Sequence, residues 1–275
     1  MRVRDIIVII VALVVSVTTI EVAYAADAAT TAKARWDEGV KAYEERDYAR
    51  AVEAFEHVAS LGEVSADLYY NLAGAYFKLG QQNVSGTLRP FAHGELGRAV
   101  LNYHRALRLN PAMEDARYNL DLAVDHTNDT EAVPESFITR LCHSLRDVTT
   151  SNGWTITSII MLAIALILTV VYLLSERIAL RKVCFFTAIV LYFGFLLTTA
   201  LGISSYRVVT DDNRAVIICN DTTPVHASPD SASKIIRQPS QGVTLNVVRS
   251  HGEWSEIIFA DGEKGWIRSA QIVKI

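Results

Sequence analysis

No cysteine framework, no polybasic run and no catalytic signature organises this chain of 275 residues. Its three cysteines, Cys142, Cys184 and Cys219, are widely separated, which excludes a closely spaced zinc set and argues against a disulfide scaffold. The formal net charge of -4 comes without any cluster of Lys and Arg that could neutralise a phosphate backbone, so nucleic acid is not an expected partner. HExxH, GxSxG, CxxC and phosphate-cradling glycine loops are all missing. Cys142 and His143 come nearest to a nucleophile pair, but neighbours on a helix point about 100° apart and do not easily form a thiolate–imidazolium contact. His57, His93, His104, His126, His226 and His251 are scattered among polar residues and read as solvated side chains. The expectation is a protein that is not an enzyme and binds no cofactor or metal.

Apolar residues, by contrast, are plentiful: 51% of the chain, with a mean hydropathy of +0.22. Most of the excess lies in residues 154–174 and 183–203, two stretches without a charge. Each is long enough as a helix to cross roughly 30 Å of hydrocarbon. They read as a transmembrane hairpin joined by the charged loop 175–182, so the regions before and after it share one compartment. The spans hold few polar groups, which speaks against a channel or carrier. Gly194 and Ala200 are the small residues where a partner's span could approach most closely.

Residues 1–25 have a basic start at Arg2 and Arg4, an apolar run from Ile6 to Val17, and Ala23-Tyr24-Ala25 ahead of Ala26, the pattern of a secretory signal. An uncleaved anchor helix is the rival reading, and either exports the chain from Ala26 onward. The hairpin loop then faces the cytoplasm, and its Arg177, Arg181 and Lys182 agree with the positive-inside rule. The agreement is modest, because Arg140, Arg146, Arg207 and Arg214 flank the outer ends of the spans.

Between residues 26 and 127 the chain is helical and repeats itself. In the first unit Tyr48, Ala51, Val52, Phe55 and Val58 form an apolar stripe at helical spacing; in the second, Leu96, Ala99, Val100, Tyr103 and Ala106 do so. These units resemble tetratricopeptide repeats. Gly39, Tyr48, Ala51 and Phe55 match in the first, whose usual first-helix tyrosine is displaced to Tyr43. Leu72, Ala73, Tyr76, Gly80, Ala99, Tyr103, Ala106 and Pro111 match in the second. Gly80 and Gly94 both suit the glycine before the second helix, so segment 81–94 reads as an insertion in the interhelix turn. The segment after Pro111 repeats Tyr70-Asn71-Leu72 as Tyr118-Asn119-Leu120 and is expected to cap the stack.

The resemblance implies a concave surface lined by first helices. Trp36, Tyr70 and Tyr118 hold the position pointing into it, with Asn71 and Asn119 beside them and Tyr43 and Phe77 completing a candidate peptide groove. Aromatic anchors flanked by amides suit an extended peptide. The alternative is that these rings fill gaps between helices.

Residues 134–149 place Phe137, Ile138, Leu141, Cys142, Leu145 and Val148 on one face, an amphipathic helix that lies on the membrane or docks on the repeats. Trp154 follows where an interfacial anchor belongs. From 213 to 275 the period falls towards two, with a strand at Ala215–Cys219, alternation through Val243, Leu245 and Val247, and a strand at Trp254–Phe259. Trp254 in GEWSEI and Gly265-Trp266-Ile267 give this region a resemblance to bacterial SH3-like domains. Those bind peptides or cell-wall components, or pack on their own protein.

The expected fold is therefore a multidomain membrane protein: an all-α tetratricopeptide-repeat solenoid, a two-helix transmembrane hairpin and a small all-β SH3-like barrel. This order, most specifically GELGRAVLNYHRALRLNPAMEDARYNL and GEWSEIIFADGEKGWIRSAQI, resembles the BatE-type proteins of bacterial aerotolerance (Bat) operons. The resemblance implies an inner-membrane scaffold with its folded modules in the periplasm. Its implied partners are von Willebrand A-domain Bat proteins and a MoxR-type ATPase system in envelope stress. A peptidoglycan-binding envelope sensor is the alternative.

Overall fold

The computed structural model describes residues 30–82, 91, 94–127, 137–210, 213–219 and 222–275. The signal reading of residues 1–25 and most of segment 81–94 fall outside the described residues.

Five helices come first among the described residues. Helix α1, residues 30–44, stops where Arg46 takes a φ of 64° and the Asp47 amide donates back to Ala42 O at 2.9 Å. The Asp47 carboxylate then accepts from the Arg50 amide at 3.2 Å and opens α2, Tyr48–Ser60. Helices α3 (Ala66–Gln82), α4 (Glu95–Leu109) and α5 (Glu114–Val124) follow, each packed against the one before it. Their apolar stripes meet in one core holding Phe55, Leu68, Leu72, Tyr76, Val100 and Leu120. Gly39 permits the close approach of α1 to α2, since a Cβ there would meet Phe55 Cε1 at 2.7 Å. Gly94 starts α4 in the left-handed region at φ 79°. Gly80 instead lies beneath the ring of Phe91, whose amide donates to Gly80 O at 3.4 Å and holds Phe91 against the end of α3.

Helix α6, Phe137–Arg146, leads into α7 (Ser151–Leu174) and α8 (Ile178–Thr210). Thr150 caps α7 by accepting from the Gly153 amide at 3.3 Å. Both long helices are apolar and long enough to cross a membrane, and only 11% and 17% of their most apolar windows are buried within the protein. A helix in a soluble core would be mostly covered; these turn their Leu, Ile, Val and Phe side chains outward.

Three details of the hairpin differ from the sequence expectation. The turn is confined to residues 175–177, because the good helix formers Ala179, Leu180, Arg181 and Lys182 extend α8 back to Ile178 and bring the charges of Arg181 and Lys182 inside its start. At the other end α8 does not stop where the uncharged run ends at residue 203 but continues to Thr210. Gly194 is not open to a partner's span: Met161 of α7 fills the space beside it, with Cε 3.1 Å from where a Cβ would stand.

The C-terminal region is a seven-stranded antiparallel sheet, β1 Arg214–Ile217, β2 Val225–His226, β3 Ile235–Arg237, β4 Thr244–His251, β5 Trp254–Ile258, β6 Lys264–Arg268 and β7 Ile272–Lys274. The strand order is β3-β2-β6-β5-β4-β1-β7. One face closes over Ala215, Ile217, Leu245, Val247, Ile257 and Ile267. Strands β1 and β7 also look the other way, for Val216, Val273 and, just past β7, Ile275 pack in the helical core. Gly97 of α4 abuts the Ile217 carbonyl, and its amide donates to Gln241 Oε1 at 3.3 Å. Gln241 Nε2 donates to Phe91 O, Arg105 Nη2 to Lys274 O at 3.3 Å, and Arg108 Nη1 to Ile275 O. The helical region and the sheet are thus packed together along α4 rather than strung as separate modules.

Candidate functional site

A cleft of about 200 Å³ opens between α1, α3, α4 and α5. Gly74 of α3 forms part of its wall, with Tyr43 Oη 3.7 Å and Tyr103 Oη 3.8 Å from where a Cβ would stand. Tyr70 packs its ring 6.1 Å from that of Tyr103, and its hydroxyl accepts from Asn119 Nδ2 at 3.1 Å, tying α3 to α5. Asn71, half-buried, makes no side-chain hydrogen bond with any described residue. Phe77 and Leu122 supply apolar walls, and Lys78 a cation.

Two of these phenols, Tyr43 and Tyr103, are held in their protonated form. Burial pushes the Tyr43 hydroxyl above its ordinary value, with Tyr48 and Tyr70 adding to the effect; burial does the same to Tyr103, helped by Tyr70 and Tyr43. Neutral phenols both donate and accept, as amides do, so the cleft presents the two capacities that a peptide backbone needs.

Of the residues expected from the sequence, Tyr43, Tyr70, Asn71, Phe77 and Asn119 line this one cleft. Trp36 and Tyr118 do not. Trp36 packs edge-on against Phe55 with centroids 5.5 Å apart, filling a gap between α1 and α2. Tyr118 is 72% exposed on α5. Sequence reasoning missed Gly74, Lys78, Tyr103 and Leu122 as lining residues. Tyr103 stands in the apolar stripe of the second unit, but spacing alone does not show which cavity a side chain borders.

On the sheet, Gly265 is required by close packing: a Cβ there would collide with Val225 Cγ1 and meet Ile236 Cδ1 at 2.7 Å. Trp254 and Trp266 are half-buried beneath cations, with Arg268 5.3 Å from the Trp254 ring and Arg249 5.5 Å from the Trp266 ring. His226 is buried between elements, its ring 5.2 Å from Trp254 and its Nδ1 3.1 Å from Ser233 O. It is a core histidine and not the solvated side chain expected. His126 also packs, edge-on to Phe77 at 5.4 Å, and His104 meets Thr244 Oγ1 at 3.3 Å.

The cysteines stay apart: Cys142 is exposed on α6, Cys184 buried in α8, and Cys219 bonded to Thr223 Oγ1. No group of three or more metal-ligating side chains gathers among the described residues.

Residues 221–273, nearly the whole sheet region, match the family model described as the bacterial SH3 domain. No curated protein and no solved structure matches the chain.

Proposed function

We propose that the protein is a non-enzymatic adaptor anchored in the bacterial inner membrane, whose tetratricopeptide-type helical region captures an extended peptide of a partner protein. The observation that carries this reading is the cleft in which Tyr43, Tyr70 and Tyr103 meet Asn71 and Asn119 around Gly74. Its aromatic walls offer apolar area at small entropic cost, and its hydroxyls and amides can replace the water lost from a peptide backbone. The α7–α8 hairpin anchors the chain, with the turn at 175–177 in the cytoplasm and the helical and SH3-like regions in the periplasm. The order of modules favours partners of the Bat type, von Willebrand A-domain proteins and a MoxR-type ATPase system, in envelope stress or aerotolerance.

Co-purification from intact membranes tests the reading. Asn71→Ala and Gly74→Leu should lose the partner that the unaltered chain retains, while Cys142→Ser should retain it. Retention by all three variants would remove the cleft from the account. Extraction of membranes with alkaline carbonate tests the anchor independently, because a hairpin stays in the pellet.

A second reading, a peptidoglycan-binding sensor, is favoured by the family match over residues 221–273. Pelleting of the detergent-solubilised full chain with purified sacculi, weakened by Trp266→Ala, would establish it.

A further inference from the structure

We infer that the cavity between α6, the end of α8 and strands β1 and β4 binds the phosphate of an anionic phospholipid headgroup. The inference rests on the reading that α7 and α8 cross a bilayer.

The sequence left an oddity at this end of the hairpin: arginines beside the outer ends of the spans, where the positive-inside rule expects few. The structure brings three of them to one place. The cavity, about 860 Å³, takes Arg146 and His143 from α6, Arg207 from α8 and Arg214 from β1. Among the described residues no carboxylate lines it. Asp147 holds Arg146 through Nε at 2.7 Å, and no described residue engages the terminal guanidinium nitrogens. Among the described residues, Asp121 and Asp147 line a neighbouring cavity of about 250 Å³ with Arg108 and Arg117, and Arg146 and Arg214 border both cavities. Asp211 and Asp212, between Arg207 and Arg214 in the chain, lie outside the described residues.

Arg207 is the informative member. Its exposed side chain makes no hydrogen bond or ion pair with any described residue. A solvated helix-end arginine would account for Arg207 alone, but not for Arg146 and Arg214 reaching the same cavity from two other elements.

Depth identifies the ligand as an amphiphile. Gly202 of α8 packs beside Trp154, whose Cβ is 3.3 Å from where a Gly202 Cβ would stand, so the two lie at one level. Trp marks the boundary between hydrocarbon and headgroups, and five further residues place Arg207 about 7 Å outward, in the headgroup layer. On α8 the cavity is walled by Ala200, Ile203, Ser204, Arg207 and Val208, a single helical face that changes from apolar to basic along its length. Below it, Leu196 and Leu197 are exposed and continue the apolar surface for acyl chains. Guanidinium groups suit a phosphodiester because their planar forks donate paired hydrogen bonds to its oxygens.

The test is native mass spectrometry of the full chain in a neutral detergent, with added phosphatidylglycerol or phosphatidylcholine of the same acyl chains. The unaltered chain should retain phosphatidylglycerol at about tenfold lower lipid concentration, and Arg207→Gln should erase most of that preference. Arg207→Lys should keep part of it. Arg181→Gln, a charge change at the opposite end of the hairpin, should change nothing, and millimolar inorganic phosphate should not displace the lipid. Equal retention of the two lipids, an unchanged Arg207→Gln variant or an equal loss in Arg181→Gln would overturn the inference. Displacement by inorganic phosphate would make this a small-anion site and overturn the lipid assignment. Release of the protein by alkaline carbonate would remove the membrane anchor itself, a failure separate from these.

Discussion

Gly97 lies against the main-chain carbonyl of Ile217, so closely that a Cβ would collide with that oxygen and stand 3.0 Å from Ile218 Cα. A glycine inside a helix costs roughly 0.5–1 kcal/mol relative to alanine, and here the close approach of α4 to β1 offsets it. Around this contact the buried Gln241 side chain links Gly97 N to Phe91 O, and Gly242, at φ 85°, fits beneath Thr127 and Val100. The SH3-like sheet therefore has one side committed to its own chain, which leaves the Trp254 and Trp266 face for any outside ligand.

Gly97→Leu should destabilise the protein by roughly 1–3 kcal/mol, since neither partner of the clash is a flexible side chain. Gln241→Ala should cost a similar amount by leaving the Gly97 amide and the Phe91 carbonyl unpaired. Thermal melting of the detergent-solubilised chain measures both, and an unchanged midpoint in Gly97→Leu would mean that the α4–β1 contact does not exist in solution.

Residues 213–275 expressed alone should bind a hydrophobic dye, and should bind less of it after Val216→Thr and Ile275→Thr. Val216 and Ile275 are buried against the helical core at 0% and 5% exposure and would be uncovered, each representing about 1.5–3 kcal/mol of apolar burial. A fragment that binds no dye would show that the sheet covers these side chains unaided.

Alkaline pH should loosen the helical region before it affects the sheet. The buried Tyr103 phenol is raised above its unfolded value, so the stability it confers is complete below about pH 10 and is lost as pH rises further. Burial, followed by a hydrogen bond to Glu56, acts on Tyr76 in the same direction. Circular dichroism across this range should show a higher alkaline midpoint for Tyr103→Phe, which cannot ionise. An identical midpoint would exclude the phenol as the cause.

In a Cys142→Ser background, a membrane-impermeant thiol reagent applied to spheroplasts should label Lys264→Cys at once and Glu176→Cys only after permeabilisation. Labelling of Glu176→Cys in intact spheroplasts would reverse the assigned orientation.

Local periodicity made much of the architecture legible. Ala51, Val52, Phe55 and Val58 are buried as their spacing requires, and the uncharged runs became the two outward-facing helices. Alternation likewise marked the strands beginning at Arg214, Thr244 and Trp254. What spacing could not show is which of two plausible neighbours a side chain meets. Trp36 chose Phe55 over the cleft, Gly194 met Met161 of its own hairpin, and His226 was drawn into the sheet beside Trp254. The docking of β1 on α4 joins residues more than a hundred positions apart, and only a glycine interrupting the α4 pattern hinted at it.

Site-specific photo-crosslinking in intact membranes tests the peptide cleft most directly. Crosslinkers at Tyr70 and Asn71 should capture one partner, while those at exposed Tyr118 and at Glu53 on the solvent side of α2 should not. Equal capture from all four positions would contradict the cleft as the place where this protein meets its partner.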